Sequence, residues 1–468
     1  MRVDTFRLIN RSESMEAEMV QRELPVVVVG AGPVGLAAAA ELLERGLEPL
    51  VLEAGDSAGA SVRQWGHVRL FSPWEWLVDP AAQRLLEPTG WAAPDGGAYP
   101  TGAEWAAGYL APLADVLGER VRTRARVVGV ARRGRDRVVD AGRETEPLVV
   151  HIDTGAGEER VGARAVIDAS GTWTSANPLG GDGLPAIGES AAGQRVRAGV
   201  PDLTDPAERA RYAGRHVAVA GSGHSALTAL ASFADLVRDE PGTRVSWLLR
   251  RGGFGQVFGG GDTDQLPARG ALGQRAEQAV AAGLVTPVFG FRTERVEPEA
   301  GGTAWTLVSE DGHRVEAVEE VVVLTGFRPE LGWLSEVRLD LDPTLQAPTR
   351  LAPLIDPNVH SCGTVYPHGA AELAQPEPGV YLAGMKSYGR APTFLARTGY
   401  EQVRSIAAEL AGDHEAAARV ELVLNETGVC GGAGLFDEDT SAAETVAGSG
   451  CCSTPSEPLT VGAPAAGA

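Results

Sequence analysis

Lysine is almost missing from this chain. Of its 41 basic side chains, all but Lys386 are arginine. Cysteine is nearly as scarce, with Cys362, Cys430, Cys451 and Cys452 too few and too unevenly placed for a disulfide framework. No apolar run reaches the roughly 18 residues of a membrane span. Met1 to Leu24 carries scattered charges and no apolar h-region, so no signal peptide is expected. Acids outnumber bases 62 to 41, a net charge of −21, which argues against nucleic acid or an anionic membrane as the main partner. A cytoplasmic protein is the expectation. The 468 residues, 44% of them hydrophobic, are enough for more than one domain with a core of its own. A homodimer is compatible with this composition but not specified by it.

What is present is organised around two copies of one pattern. Val26-Val27-Val28-Val29 is a short β-branched run that reads as a buried parallel strand. Leu36 to Arg45 reads as a helix, and Pro49 to Leu52 as a second strand. The same order returns with Val217 to Ala220, a helix over Ala226–Val237 and a strand over Val245–Leu249. Two βαβ units so far apart predict two doubly wound α/β domains of Rossmann type. Val321 to Leu324 closes the second unit. Val380 to Ala383, followed by an amphipathic helix from Thr393 to about Leu410, returns to the first.

The second domain is therefore expected as an insertion in a discontinuous first one. The expected boundaries are a polar arm over 1–24, the first domain over 25–204 and 327–412, and the second over 205–326. Residues 413–468 carry nine acids against one arginine, and read as a flexible tail, disordered beyond Leu424.

Each unit carries a glycine turn between its strand and its helix. The first is Gly30-Ala31-Gly32-Pro33-Val34-Gly35. Here Gly30 permits the turn, Gly32 lets a pyrophosphate approach the backbone, and Gly35 lets helix and strand pack closely. Glu53 follows at the end of the second strand, where an acid takes ribose hydroxyls and repels a 2′-phosphate. That suits FAD or NAD. The second turn, Gly221-Ser222-Gly223-His224-Ser225-Ala226, has Arg250-Arg251 at the corresponding strand end. A cationic pair there suits the 2′-phosphate of NADPH. The expected cofactors are FAD in the first domain and NADPH in the second.

With Ala169-Ser170-Gly171 and Leu324-Thr325-Gly326-Phe327-Arg328-Pro329 at the crossings, the chain over about 25–410 resembles the two-dinucleotide-domain flavoproteins. That superfamily holds thioredoxin reductases, disulfide reductases and flavin-containing monooxygenases. Ala169-Ser170-Gly171-Thr172-Trp173 and Trp247-Leu248-Leu249-Arg250-Arg251 are most similar to the monooxygenase side. Trp65-Gly66-His67-Val68-Arg69-Leu70-Phe71 and Gly389-Arg390-Ala391-Pro392-Thr393-Phe394 resemble the flavoproteins of actinobacterial arsenic-resistance operons. Two departures matter. No redox cysteine pair stands in the folded body, which excludes an internal dithiol. The stretch Ile187 to Arg215, where the monooxygenases usually place a histidine, has none.

The resemblance implies that the strand ending near Gly384 delivers its loop to the flavin. The usual Gly-Asp pair is replaced there by Gly384-Met385-Lys386, so the ribityl contact must be made differently. Lys386 reads either as a catalytic cation near the flavin or as a surface lysine. His67 reads as a proton donor or as a structural histidine, and Trp65 as packing beside the cofactor. Cys430, Cys451 and Cys452 would suit a thiophilic metalloid, or do nothing specific. The expectation is an NADPH-dependent FAD monooxygenase acting with oxygen on a small soft substrate, an arsenic or sulfur compound. The alternatives are a flavoprotein reductase of an external acceptor and a metalloid carrier.

Overall fold

A computed structural model of the chain describes residues 23–264, 266–359, 368–392 and 394–422. In chain order, β1 (Val26–Val29), β2 (Pro49–Leu52) and β3 (Val121–Arg122) precede three strands, β4 (Arg126–Arg132), β5 (Leu148–Asp153) and β6 (Glu158–Ala163). β7 (Ala165–Asp168) and β8 (Val196–Ala198) follow, then β9 (His216–Ala220), β10 (Arg244–Leu248) and β11 (Thr286–Val288). The remaining strands are β12 (Thr293–Pro298), β13 (Trp305–Ser309), β14 (Arg314–Val318), β15 (Glu320–Val323) and β16 (Val380–Leu382). Four helices matter for the site: α1 (Pro33–Glu44), α2 (His224–Asp239), α3 (Pro267–Ala281) and α4 (Ala396–Ala411).

Both parallel sheets have five strands, in the orders β16-β7-β1-β2-β3 and β11-β10-β9-β15-β8. Each is covered by helices on one face and by a three-stranded antiparallel sheet on the other, β4-β5-β6 in the first domain and β12-β13-β14 in the second. The strand period of two explains this layering. Val26 and Val28 of β1 enter the core with α1 and α4, while Val27 and Val29 enter the core under β5. In β9, Val217 and Val219 face α2, and Ala218 and Ala220 face β12 and β13. All four valines of β1 are buried, as a central parallel strand requires.

α1 begins with Pro33 in its first turn, a position that asks for no N–H, and runs through an alanine-rich stretch. Small side chains let it lie close to its neighbours: Val34 of α1 packs where a Cβ on Gly399 of α4 would have to stand.

β16 pairs with β7 in the first sheet after β15 has closed the second, so the second domain is an insertion in the first. The boundary at 204/205 needs correction. β8 pairs in parallel with β15, and Leu179 and Ala186 pack with the second sheet, so the crossing lies near Asn177. Outgoing and returning strands bind each other there. The Asn177 N–H donates to the Gly326 carbonyl at 2.9 Å, and the Arg328 N–H to the Ser175 carbonyl at 2.9 Å. The Arg328 guanidinium donates to Asn177 Oδ1 at 2.8 Å.

Candidate dinucleotide sites

At the first glycine turn, Gly30 has φ +98° and lies against the β7 exit, where an added Cβ would stand 2.9 Å from the Ala169 carbonyl oxygen. A Cβ on Gly35 would overlap the Gly30 carbonyl. Gly32 differs: its φ is −79°, and an added Cβ would meet nothing within 4 Å. The open space above it faces the start of α1, which has no side-chain cap. An anion placed there would meet N–H groups and the positive end of the helix dipole. Glu53 closes the opposite side. Its Oε2 accepts the Ala31 N–H and its Oε1 the Gly55 N–H, both at 2.7 Å. Each oxygen keeps acceptor capacity for a ribose hydroxyl. This site fits the adenosine diphosphate half of FAD.

The second turn repeats the construction. Gly221 has φ +129° against the Leu324 carbonyl, while a Cβ on Gly223 would meet nothing within 4 Å. Ala226 replaces the third glycine and is fully buried. The Trp247 indole N–H donates to the Gly221 carbonyl at 2.7 Å and fixes the turn. Ser222 is half-buried between the two glycines. Arg250 and Arg251 follow β10. Arg250 donates to the Gly181 carbonyl at 3.1 Å, and Arg251 is held below the ordinary arginine range by burial and then by the Arg250 charge. Two adjacent cations that disfavour each other match a dianionic phosphate, which would relieve both.

Beside the first turn, Gly384 donates its N–H to Gln402 Oε1 at 2.7 Å. Gln402 Nε2 lies 2.8 Å from His368 Nε2 and donates to Ser387 Oγ at 2.9 Å. This buried network holds the Gly384–Tyr388 turn on α4. Met385 is half-buried in that turn. Lys386 is neither surface lysine nor free cation: its side chain is 1% exposed and its Nζ lies 3.3 Å from Asp168 Oδ2. It also donates to Ser170 Oγ at 3.0 Å, with the Trp333 ring centroid at 5.5 Å. Of the two readings of Lys386, the surface lysine is the one its burial rules out.

His67 is half-buried, and its Nε2 is buried with no hydrogen-bond partner among the described residues. Trp65 packs its ring on Gly102, where a Cβ would come within 2.7 Å of the indole. One aromatic contact joins the domains near the sites, and a second lies at the crossing between them. Phe71 meets His224 with ring centroids 5.2 Å apart, and Trp173 meets Phe327 at 5.2 Å. The Trp173 indole also donates to Gln64 Oε1 at 2.7 Å. Asp168, Gln402 and Phe71 were not singled out in the sequence. An acid closing the buried run Ala165-Val166-Ile167 was the one available signal for Asp168.

Cys362, Cys430, Cys451 and Cys452, the tail from residue 423 on and most of the polar arm lie outside the described residues, while the start of the tail forms a short helix over His414–Ala418. Among the described residues no group of three His, Cys, Asp or Glu side chains could hold a metal ion. None of the described helices is long and apolar enough to cross a membrane.

The paired sheets, each with its antiparallel layer, define the fold of the two-dinucleotide-domain flavoproteins. Residues 25–85 match the family described as FAD dependent oxidoreductase. Solved structures share the fold over most of the chain. The bacillithiol disulfide reductase of Bacillus cereus is 20% identical, covers 83% of this chain and 99% of its own, and has a TM-score of 0.59. A flavin-containing monooxygenase from Stenotrophomonas maltophilia is 24% identical, with 83% and 98% covered and a TM-score of 0.55. The FAD-bound cadaverine monooxygenase of desferrioxamine biosynthesis from Erwinia amylovora is 14% identical, with 86% and 97% covered and a TM-score of 0.58. No curated protein matches the chain.

Proposed function

We propose that the protein is an FAD- and NADPH-dependent oxidoreductase of monooxygenase type, acting with oxygen on a small soft substrate such as an organic sulfur or arsenic compound. One observation carries the cofactor pair: two open glycine cradles, one bounded by Glu53 and the other by Arg250 and Arg251. When bound, FAD supplies the two-electron chemistry between NADPH and the final acceptor.

The chain's own residues bind and orient. Glu53 takes the adenosine ribose of one dinucleotide, and the arginine pair takes the 2′-phosphate of the other. The Phe71–His224 contact places an aromatic pair between the domains, and Trp173–Phe327 places another at the crossing.

A second reading, reduction of an external acceptor, is favoured by the missing histidine between Ile187 and Arg215. The next histidine, His216, is spent on structure: its ring lies 2.8 Å from Ser246 Oγ and 3.1 Å from the Glu316 carbonyl. One relative in fold, from Bacillus cereus, is a disulfide reductase, which supports the same reading.

NADPH oxidation by FAD-loaded protein, measured with and without oxygen and with and without a thioether, an organoarsenical or a disulfide, separates the two. Oxygen-dependent consumption that rises with substrate and yields an oxygenated product supports the first reading. Consumption that continues without oxygen when disulfide is supplied supports the second. No consumption with any of them sinks both.

A further inference from the structure

Lys386 is joined to two residues more than 200 positions earlier, and what it does there follows from the geometry. β7 ends in Asp168, whose side chain is fully buried. Asp168 Oδ1 accepts two bonds from Ser170, from its N–H at 3.0 Å and its hydroxyl at 2.6 Å. Oδ2 has no hydrogen-bond partner among the described residues, and the ammonium of Lys386 faces it at 3.3 Å. The Ser170 hydroxyl, while donating to Asp168, accepts from that same ammonium at 3.0 Å. The three side chains therefore close a ring of interactions at the carboxyl ends of β7 and β16.

This ring sits directly against the first glycine turn. A Cβ on Gly30 would stand 2.9 Å from both the Ala169 carbonyl oxygen and Ser170 Cα. Any change in the 168–171 segment is felt by Gly30 and by the cradle over Gly32. A buried, unpaired carboxylate is costly enough to force such a change, by drawing in water or by opening the loop.

We infer that Lys386, Asp168 and Ser170 form a positioning latch that fixes the first dinucleotide cradle in its binding shape. The inference rests on the reading of that cradle as the FAD site. Lys386 acts through the loop and not by touching the cofactor. The latch explains why a lysine stands here, where the chain otherwise uses arginine. A compact ammonium reaches both Oδ2 and the Ser170 hydroxyl from a space that leaves it 1% exposed, whereas a planar guanidinium needs a wider slot.

The test uses the full chain, with FAD as the probe, and reads the FAD dissociation constant by flavin fluorescence together with the melting temperature of the FAD-free protein. Lys386→Met leaves the Asp168 carboxylate unpaired and is expected to weaken FAD binding by about tenfold or more. The double variant Asp168→Asn with Lys386→Met removes both charges. Its amide oxygen still accepts from Ser170, and methionine fills the lysine's volume. It is expected to recover FAD affinity to within about threefold of wild type.

A double variant as weak as Lys386→Met would overturn the latch, since a direct contact between the ammonium and the cofactor predicts that result. Undiminished FAD affinity in Lys386→Met would overturn it equally. If Lys386→Met does not fold, the double variant decides alone: folded and FAD-binding supports the latch, while unfolded, or folded without FAD, rejects it. Wild type that takes up no FAD is a different failure, that of the cofactor reading itself.

Discussion

The ring of His224 lies 5.2 Å from that of Phe71, tilted by 51°, so the residue that opens α2 is roofed by a side chain from the other domain. Burial, and then the Arg269 charge, push His224 down to about 4, so the ring is neutral at physiological pH and the contact is one between two uncharged rings. The contact flanks the open cradle at Gly223. An aromatic pair of this kind is worth roughly 0.5–1.5 kcal/mol beyond its buried area. Phe71→Ala is expected to raise the KM for NADPH by about two- to tenfold. FAD affinity should stay as it is, because Phe71 makes no contact with the Gly30–Gly35 turn among the interactions described. Steady-state kinetics and an FAD titration on the same preparation check this. A variant that loses FAD and keeps its KM would contradict it.

The two cradle glycines give a cleaner separation of fold from binding. Gly32 and Gly223 have φ of −79° and −86°, which any residue can adopt, and a Cβ at either meets nothing within 4 Å. Gly32→Val should therefore fold with a melting temperature close to wild type and lose FAD, because the branched side chain occupies the space the pyrophosphate needs. Gly223→Val should keep FAD and lose NADPH-driven reduction. Spectra of the purified proteins, followed by anaerobic addition of NADPH, read both outcomes. Retained FAD in Gly32→Val would remove the first turn from the cofactor site.

Those glycines were legible in the sequence because the turn is local: strand, three small residues and helix follow one another with no long-range partner. The parallel strands were legible for the same reason, since Val26–Val29 and Val217–Ala220 are apolar on both faces. β8 was not, because a three-residue strand with Arg197 at its centre has no apolar pattern to read. Its place is set by β15, far along the chain. Helix α4 starts at Ala396, with Leu395 as its cap, while Thr393, the start expected from the sequence, lies outside the described residues. Lys386 stood out by its rarity. Its partners did not, since Ser170 lies 216 positions away and only the pairing of β7 with β16 brings the two together.

Arg250 and Arg251 supply the electrostatic prediction. Neither is fully buried, and Arg251 is held below the usual arginine range by burial and by its neighbour. A 2′-phosphate would set a dianion against both cations, whereas a 2′-hydroxyl would bring no charge. Arg250→Ser with Arg251→Ser is expected to lower kcat/KM for NADPH by about 10- to 100-fold and to leave that for NADH within a few-fold. The ratio of the two, measured side by side at fixed ionic strength, is the test. An unchanged preference would move the phosphate site elsewhere.

Asp79 supplies a pH dependence with a definite sign. It caps the helix Pro80–Leu86 by accepting the Ala82 N–H at 2.9 Å, yet it is 1% exposed. Burial first, then the nearby Glu41 carboxylate, push it up to about 7, against bonds from Ala82 and Ala81 and the Arg84 charge. Between its ordinary value of 3.8 and about 7, the folded protein holds a proton that the unfolded chain has lost. Stability from this group is therefore full at low pH, falls as pH rises through that window, and reaches its floor above it. Asp79→Asn keeps an oxygen for the Ala82 N–H and carries no charge at any pH. It should melt at nearly the same temperature as wild type near pH 4 and several degrees higher at pH 8, the gap widening in between. Melting curves across that range decide it, and a gap that does not change with pH would mean that Asp79 is ionised in the folded protein throughout.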